Sequence, residues 1–197
     1  MDYRAVRAKY TPETVTVYQA YSAEIAVPAL RAGHFVPPFK VGRMTWIKPS
    51  FLWMAYRCGW ATKKDQEYVL AIEITRAGFE WALAHSSLSH YEAGGVDATL
   101  DEWERRKAIS PVRIQWDPER DLDFKPLGYR SIQIGLGGES VGLYVNDWIV
   151  SITDVTSLMK EMALLVSEGK YKEAKERVPH EEVYALSPDL KAILGTS

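Results

Sequence analysis

Residues 43–60, RMTWIKPSFLWMAYRCGW, set three tryptophans and a tyrosine among three cations. Ammonium and guanidinium groups bind phosphate, and aromatic rings stack on planar ligands. Trp46 and Lys48 fall on a short strand that Pro49 ends. Ser50 then reads as the cap, and Gly59 as the stop, of a two-turn helix. Along it Phe51, Met54, Ala55 and Cys58 recur at i, i+3, i+4 and i+7 and form an apolar face. Trp53, Tyr56 and Arg57 form a second face, aromatic and cationic. Two readings follow. Either Arg57 stacks on Trp53 and snorkels, or Trp46, Lys48, Trp53, Tyr56 and Arg57 line a pocket for an anionic, aromatic ligand such as a nucleotide.

A second group lies in VRIQWDPER. Val112, Ile114 and Trp116 point one way on a strand, and Arg113, Gln115 and Asp117 the other. Pro118 is expected to stop the strand and leave Glu119 and Arg120 in the turn. Carboxylates beside a cation, here Asp117 and Glu119, can act as a general base or stabilise positive charge on a sugar. A solvated face running into a turn is the competing account. In YRSIQIGLGGES a strand ends in glycines before a helix, with Ser131 and Gln133 on the face opposite Arg130. Amides at such a helix start can hold phosphate, but the glycines match neither a P-loop nor a dinucleotide fingerprint. A tight turn whose Glu139 and Ser140 satisfy the helix end is the favoured account. In VYQAYS, Gln19 and Tyr21 share a face with Val15 and Val17, and either border a cleft or end the strand in water. The four histidines show no ligand spacing, so no metal is expected. Cys58, on the apolar helix face, reads as a small buried hydrophobe.

These residues need a scaffold. TVTVYQAY (14–21), RMTWIK, EYVLAIEIT (67–75), PVRIQWD (111–117), YRSIQIGL (129–136) and WIVSITDV (148–155) read as strands. SAEIAVPALRAG, RAGFEWALAHSS, GESVGLYVND and SLMKEMALLVSEG read as helices, the last with Leu158, Met162, Leu165 and Val166 on one face. The pattern predicts an α+β single domain over residues 1–197, a mixed central sheet of about six strands with surrounding helices. Residues 86–110 read as a surface excursion carrying one short helix, and 157–197 as a C-terminal helical segment. The single cysteine excludes a disulfide framework and implies a reducing, cytoplasmic setting. The opening MDYRAVRAKYTPET lacks the apolar run of a secretory signal. No apolar run approaches the roughly 20 residues of a membrane helix, so no membrane partner is expected. A net charge of −2 argues against a basic coat for nucleic acid while leaving room for a local basic groove. Oligomeric state is not legible.

The blocks VYQAYSAEIA, RMTWIKPSFLWMAYRCGWATK, QEYVLAIEI, VRIQWDPERDL, YRSIQIGL and WIVSITDVT resemble the domain-of-unknown-function family 4291, over about residues 4–190. The chain departs from that pattern at Ala55 and Cys58, where Met and Ser are expected, which weakens any catalytic role for position 58. VYQAYSAEIAVPALRAGHF is similar to the opening of ADP-ribosyltransferase-type folds. That resemblance implies NAD as ligand, a first-strand contact from Gln19 or Tyr21, nicotinamide stacking by Trp46 or Tyr56, and a late acidic residue such as Glu119. Three functions remain open. A nucleotide-using transferase needs a cleft of Gln19, Trp46, Lys48 and Arg57 with Asp117 or Glu119 opposite. A nucleic-acid-binding module needs Trp46, Trp53, Lys48, Arg57, Arg113 and Arg130 on one groove. A scaffold needs the aromatics in its core or interface.

Overall fold

The computed structural model describes residues 3–196. Among the described residues nine strands and eight helices are interspersed along the chain. In order they are β1 (Arg7–Ala8), β2 (Thr14–Tyr21), α1 (Ala23–Ala32), β3 (Thr45–Ile47), α2 (Phe51–Cys58), β4 (Tyr68–Thr75), α3 (Arg76–Ala84) and β5 (Ser86–Leu88). There follow α4 (Leu100–Ile109), β6 (Val112–Arg120), β7 (Pro126–Leu136), α5 (Glu139–Leu143), a π-helical turn (Tyr144–Trp148) and β8 (Ile149–Asp154). The chain closes with α6 (Thr156–Ser167), α7 (Tyr171–Arg177), β9 (Glu182–Val183) and α8 (Pro188–Leu194). This is an α+β architecture. Its strands divide between an antiparallel sheet, β2-β4-β8, and a mixed one, β3-β7-β6-β5, with a short β1-β9 pair beside them.

The period-2 patterns set what each sheet buries. Val15 and Val17 of β2 and Leu70, Ile72 and Ile74 of β4 enter the main core, which also takes Ile114, Trp116, Ile132 and Ile134 from the second sheet. The opposite face of β2 and β4, with Tyr18 and Val69, packs on Phe51, Met54, Ala55 and Cys58 of α2 and on Met159 and Met162 of α6. The apolar face read from the α2 sequence is therefore fully buried. Ser50 caps this helix by accepting from Trp53 N at 3.1 Å. Gly59, at φ 60°, ends it in the left-handed conformation that glycine adopts without strain.

Two local expectations are corrected. Pro118 does not stop its strand: β6 runs on to Arg120, with an irregularity of the ladder between Pro118 and Arg120. The neighbour β5 pairs only with Val112 to Ile114, so Pro118 lies where β6 has one flank free, and its missing N–H need break no ladder there. The excursion at 86–110 differs at its start, because Ser86, Ser87 and Leu88 are a buried strand parallel to β6. The rest carries α4, opened by a capping box between Thr99 and Glu102.

Candidate functional site

The two main sheets are stitched together where β3 ends. Tyr18 N donates to Lys48 O at 2.7 Å, and Lys48 N to Tyr18 O at 3.3 Å. Helix α2 follows directly. With its apolar side against β2, β4 and α6, its Trp53, Tyr56 and Arg57 are left to face the polar side of the β3-β7-β6 sheet.

Two connected chambers result. The first, about 560 Å³, is lined by Gln19, Tyr21, Trp46, Lys48 and Arg57 together with Lys40, Arg43, Lys64 and Asp65. It thus gathers five cations against one carboxylate, in a chain whose net charge is −2. The second, about 460 Å³, lies between Trp53, Tyr56 and Arg57 of α2 and Gln115, Asp117, Arg120 and Gln133 of the sheet. Trp46, Lys48 and Arg57 line both.

Each junction residue has a physical reason for its place. Trp46 pairs with Gly135 across the β3-β7 ladder. A Cβ at Gly135 would lie 2.9 Å from the indole, so the ring rests against bare backbone. Lys48 is buried, at 7% exposure. Its Nζ donates to Trp46 O at 3.0 Å and lies 5.7 Å from the Trp53 ring centre. Burial pulls its pKa down to about 7; the Arg57 charge pulls the same way, while Asp117 opposes. Arg57 reaches outward to Gln66 Oε1 at 3.1 Å.

Asp117 is held by two amides. Gln115 Nε2 donates to Oδ1 at 3.0 Å, and Gln133 Nε2 donates to Oδ2. Gln19 is a wall residue locked in place. Its Nε2 lies within hydrogen-bond reach of Tyr21 OH, Thr45 Oγ1 and Trp46 O, and its Oε1 accepts from Tyr144 OH at 2.8 Å. Burial pushes the Tyr21 phenol up to about 12.

Glu119 lies elsewhere. It is 6% exposed, accepts from Ser50 Oγ at 3.0 Å and Arg120 N at 2.9 Å, and faces a third cavity of about 780 Å³ with Glu181, Arg7, Tyr129 and His180. Glu181 Oε1 accepts from Phe51 N at 2.7 Å, so two carboxyl groups meet at the start of α2. Burial raises both: Glu119 above its ordinary range and Glu181 to about 8, where the Phe51 N–H works against the rise and the Glu119 charge adds to it. Arg113 caps α4 instead of facing the cleft, donating to Lys107 O at 2.8 Å and Ser110 O at 2.5 Å. Arg130 turns to Tyr3, with Nε 2.8 Å from its hydroxyl. Neither Arg113 nor Arg130 is among the residues that line the two chambers. Cys58 is buried, and burial pushes its thiol up.

Sequence reasoning missed Lys40, Lys64 and Glu181, and noted Arg43 and Arg120 beside candidate residues without giving them a place in the site. Lys40, Lys64 and Glu181 carry no local signal, since loop cations and a tail glutamate are ordinary surface residues until the fold gathers them. Among the described residues no group of three or more His, Cys, Asp or Glu is arranged to hold a metal ion, and no helix is long and apolar enough to cross a membrane. No curated protein and no solved structure matches the chain. One family model does match, over residues 5–184, and by that match the chain belongs to the domain of unknown function family DUF4291.

Proposed function

We propose that the protein is a nucleotide-using transferase that takes NAD as substrate and moves a ribosyl or ADP-ribosyl group. One observation carries this reading: a cation-rich chamber opens, past Trp46, Lys48 and Arg57, onto the single carboxylate Asp117. Lys40, Arg43, Lys64 and Arg57 suit a pyrophosphate, with arginine supplying a bidentate fork and lysine a point charge. The Trp46 ring suits a planar base. Asp117 would face positive charge developing on the ribose, and the Gln115 and Gln133 amides would keep it from swinging away. Glu119, which faces the third cavity and not this cleft, is the poorer candidate for that role.

The test is nicotinamide release from NAD by wild type and Asp117→Asn. The variant should lose about 100-fold or more in turnover, the scale for removing an electrostatic stabiliser, and keep NAD binding within a few-fold. A wild-type protein that neither releases nicotinamide nor gains thermal stability with NAD would sink the proposal.

A further inference from the structure

The second chamber carries more unanswered hydrogen-bond donors than its own residues can satisfy. Lys48, Arg57 and Arg120 line it against the single carboxylate Asp117, whose two oxygens already accept amide N–H groups. An ammonium has three donors. Among the described residues Lys48 Nζ makes one hydrogen bond, to Trp46 O, and no ion pair within 4.0 Å. Two further donors of the lining, Trp53 Nε1 and Arg120 Nε, are buried without a partner. Arg120 is held 4.0 Å over the Tyr56 ring, which fixes its guanidinium at the chamber's edge. Donors withdrawn from water without acceptors are costly, and a tetrahedral oxyanion supplies several acceptors at once.

We propose that the second chamber is a phosphate subsite, and that it receives the acceptor, so the transferred group goes to a phosphate-bearing molecule. The acceptor role rests on the transferase reading above; the subsite does not. In the transfer, a phosphate oxygen forms the bond to ribose C1′. The bond from C1′ to the nicotinamide nitrogen breaks, and its electron pair leaves with neutral nicotinamide. No further reactant is required. The charged and titratable groups acting on Lys48 are Arg57 and Cys58 from α2 and Asp117 from β6. Burial above all, with Arg57 adding to it and Asp117 and Cys58 opposing, leaves its amine half-charged near neutrality, so a bound dianion draws a proton onto it.

The experiment is calorimetric titration of the whole chain with inorganic phosphate and with sulfate, with and without saturating NAD. Buffers of different ionisation heat report the protons taken up. Sulfate has no proton of its own to exchange in this range, and should bind at pH 7 with uptake of about half a proton. Lys48→Met should abolish that uptake, and Arg120→Gln should weaken both anions about tenfold. Should Lys48→Met fail to fold, the buffer dependence of wild type and the Arg120 variant still decide. NAD should weaken anion binding without excluding it, because Trp46, Lys48 and Arg57 line both chambers. Absence of binding, or full affinity in Arg120→Gln, overturns the subsite. Displacement of phosphate by NAD one for one overturns the acceptor role and gives the subsite to the nucleotide's own phosphate. Intact anion binding without nicotinamide release removes the transferase reading and, with it, the acceptor role, while the subsite stands.

Discussion

Replacing Lys48 by methionine should make the ligand-free protein more stable at neutral pH. The amine titrates at about 7 in place of its ordinary 10.5, mainly because it is buried. At about 1.4 kcal/mol per pKa unit, holding it charged costs the fold up to about 5 kcal/mol, and about 4 at pH 7, where half of it is already neutral. The sign follows from proton counts. Between pH 7 and 10.5 the folded state binds fewer protons than the unfolded state, so wild-type stability rises with pH across that window. Methionine fills much the same volume without the charge. Its introduction leaves Trp46 O with the Gln19 Nε2 donor at 3.1 Å, so no carbonyl is orphaned. Allowing for partial solvation, Lys48→Met should gain about 2–4 kcal/mol at pH 7 and converge with wild type near pH 10. Urea denaturation from pH 6 to 10 measures this directly, with m-values checked for constancy. A variant less stable than wild type at pH 7, or one that keeps the wild-type slope above pH 7, would refute the account of an uncompensated buried ammonium. Gain of stability with loss of anion binding is the trade expected of a residue kept for function.

Glu181→Gln should flatten the pH dependence on the other side. Folded Glu181 keeps its proton to about 8, against an ordinary 4.5, so the folded state binds more protons and wild-type stability falls as pH rises between those values. The glutamine carbonyl can still accept from Phe51 N. Chemical denaturation at pH 5 and pH 8 should show the variant gaining on wild type at the higher pH, and a variant losing ground there contradicts the buried acid. Gly135→Ala places a Cβ 2.9 Å from the Trp46 ring, so the ring must move; a cost of about 1–3 kcal/mol in stability is expected, together with weaker NAD binding by calorimetry. Unchanged affinity would remove Trp46 from the ligand's path.

The residues of α2 show how far local pattern reached. Spacing alone separated Phe51, Met54, Ala55 and Cys58 from Trp53, Tyr56 and Arg57, and the fold buries the first set and turns the second to a cavity. The same holds for β6, where alternation put Gln115 and Asp117 on a face apart from Ile114 and Trp116. It failed at Pro118, because a proline breaks a strand only where a ladder needs its N–H, and that depends on which neighbour lies alongside. Arg113 shares the alternation of Gln115 and Asp117, yet it was claimed by the last carbonyls of α4.

By itself the sequence determined the α+β class, the alternation of β6 as far as Asp117, the two faces of α2 and the kinship carried by its tryptophan–lysine block. These follow from periodicities of two and 3.6 residues, which are properties of neighbouring positions. Only the tertiary structure decided which carboxylate meets the cations. Asp117 and not Glu119 lines the second chamber: the β6 ladder is irregular between Pro118 and Arg120, and Glu119 faces the third cavity, bonded to Ser50 from 69 residues earlier, while Glu181 reaches Phe51 across 130 residues. Lys48 became an uncompensated charge only when β3 was stitched to β2 and α2 folded over it. Burial and electrostatic partnership belong to contacts between distant segments, and no local pattern encodes them.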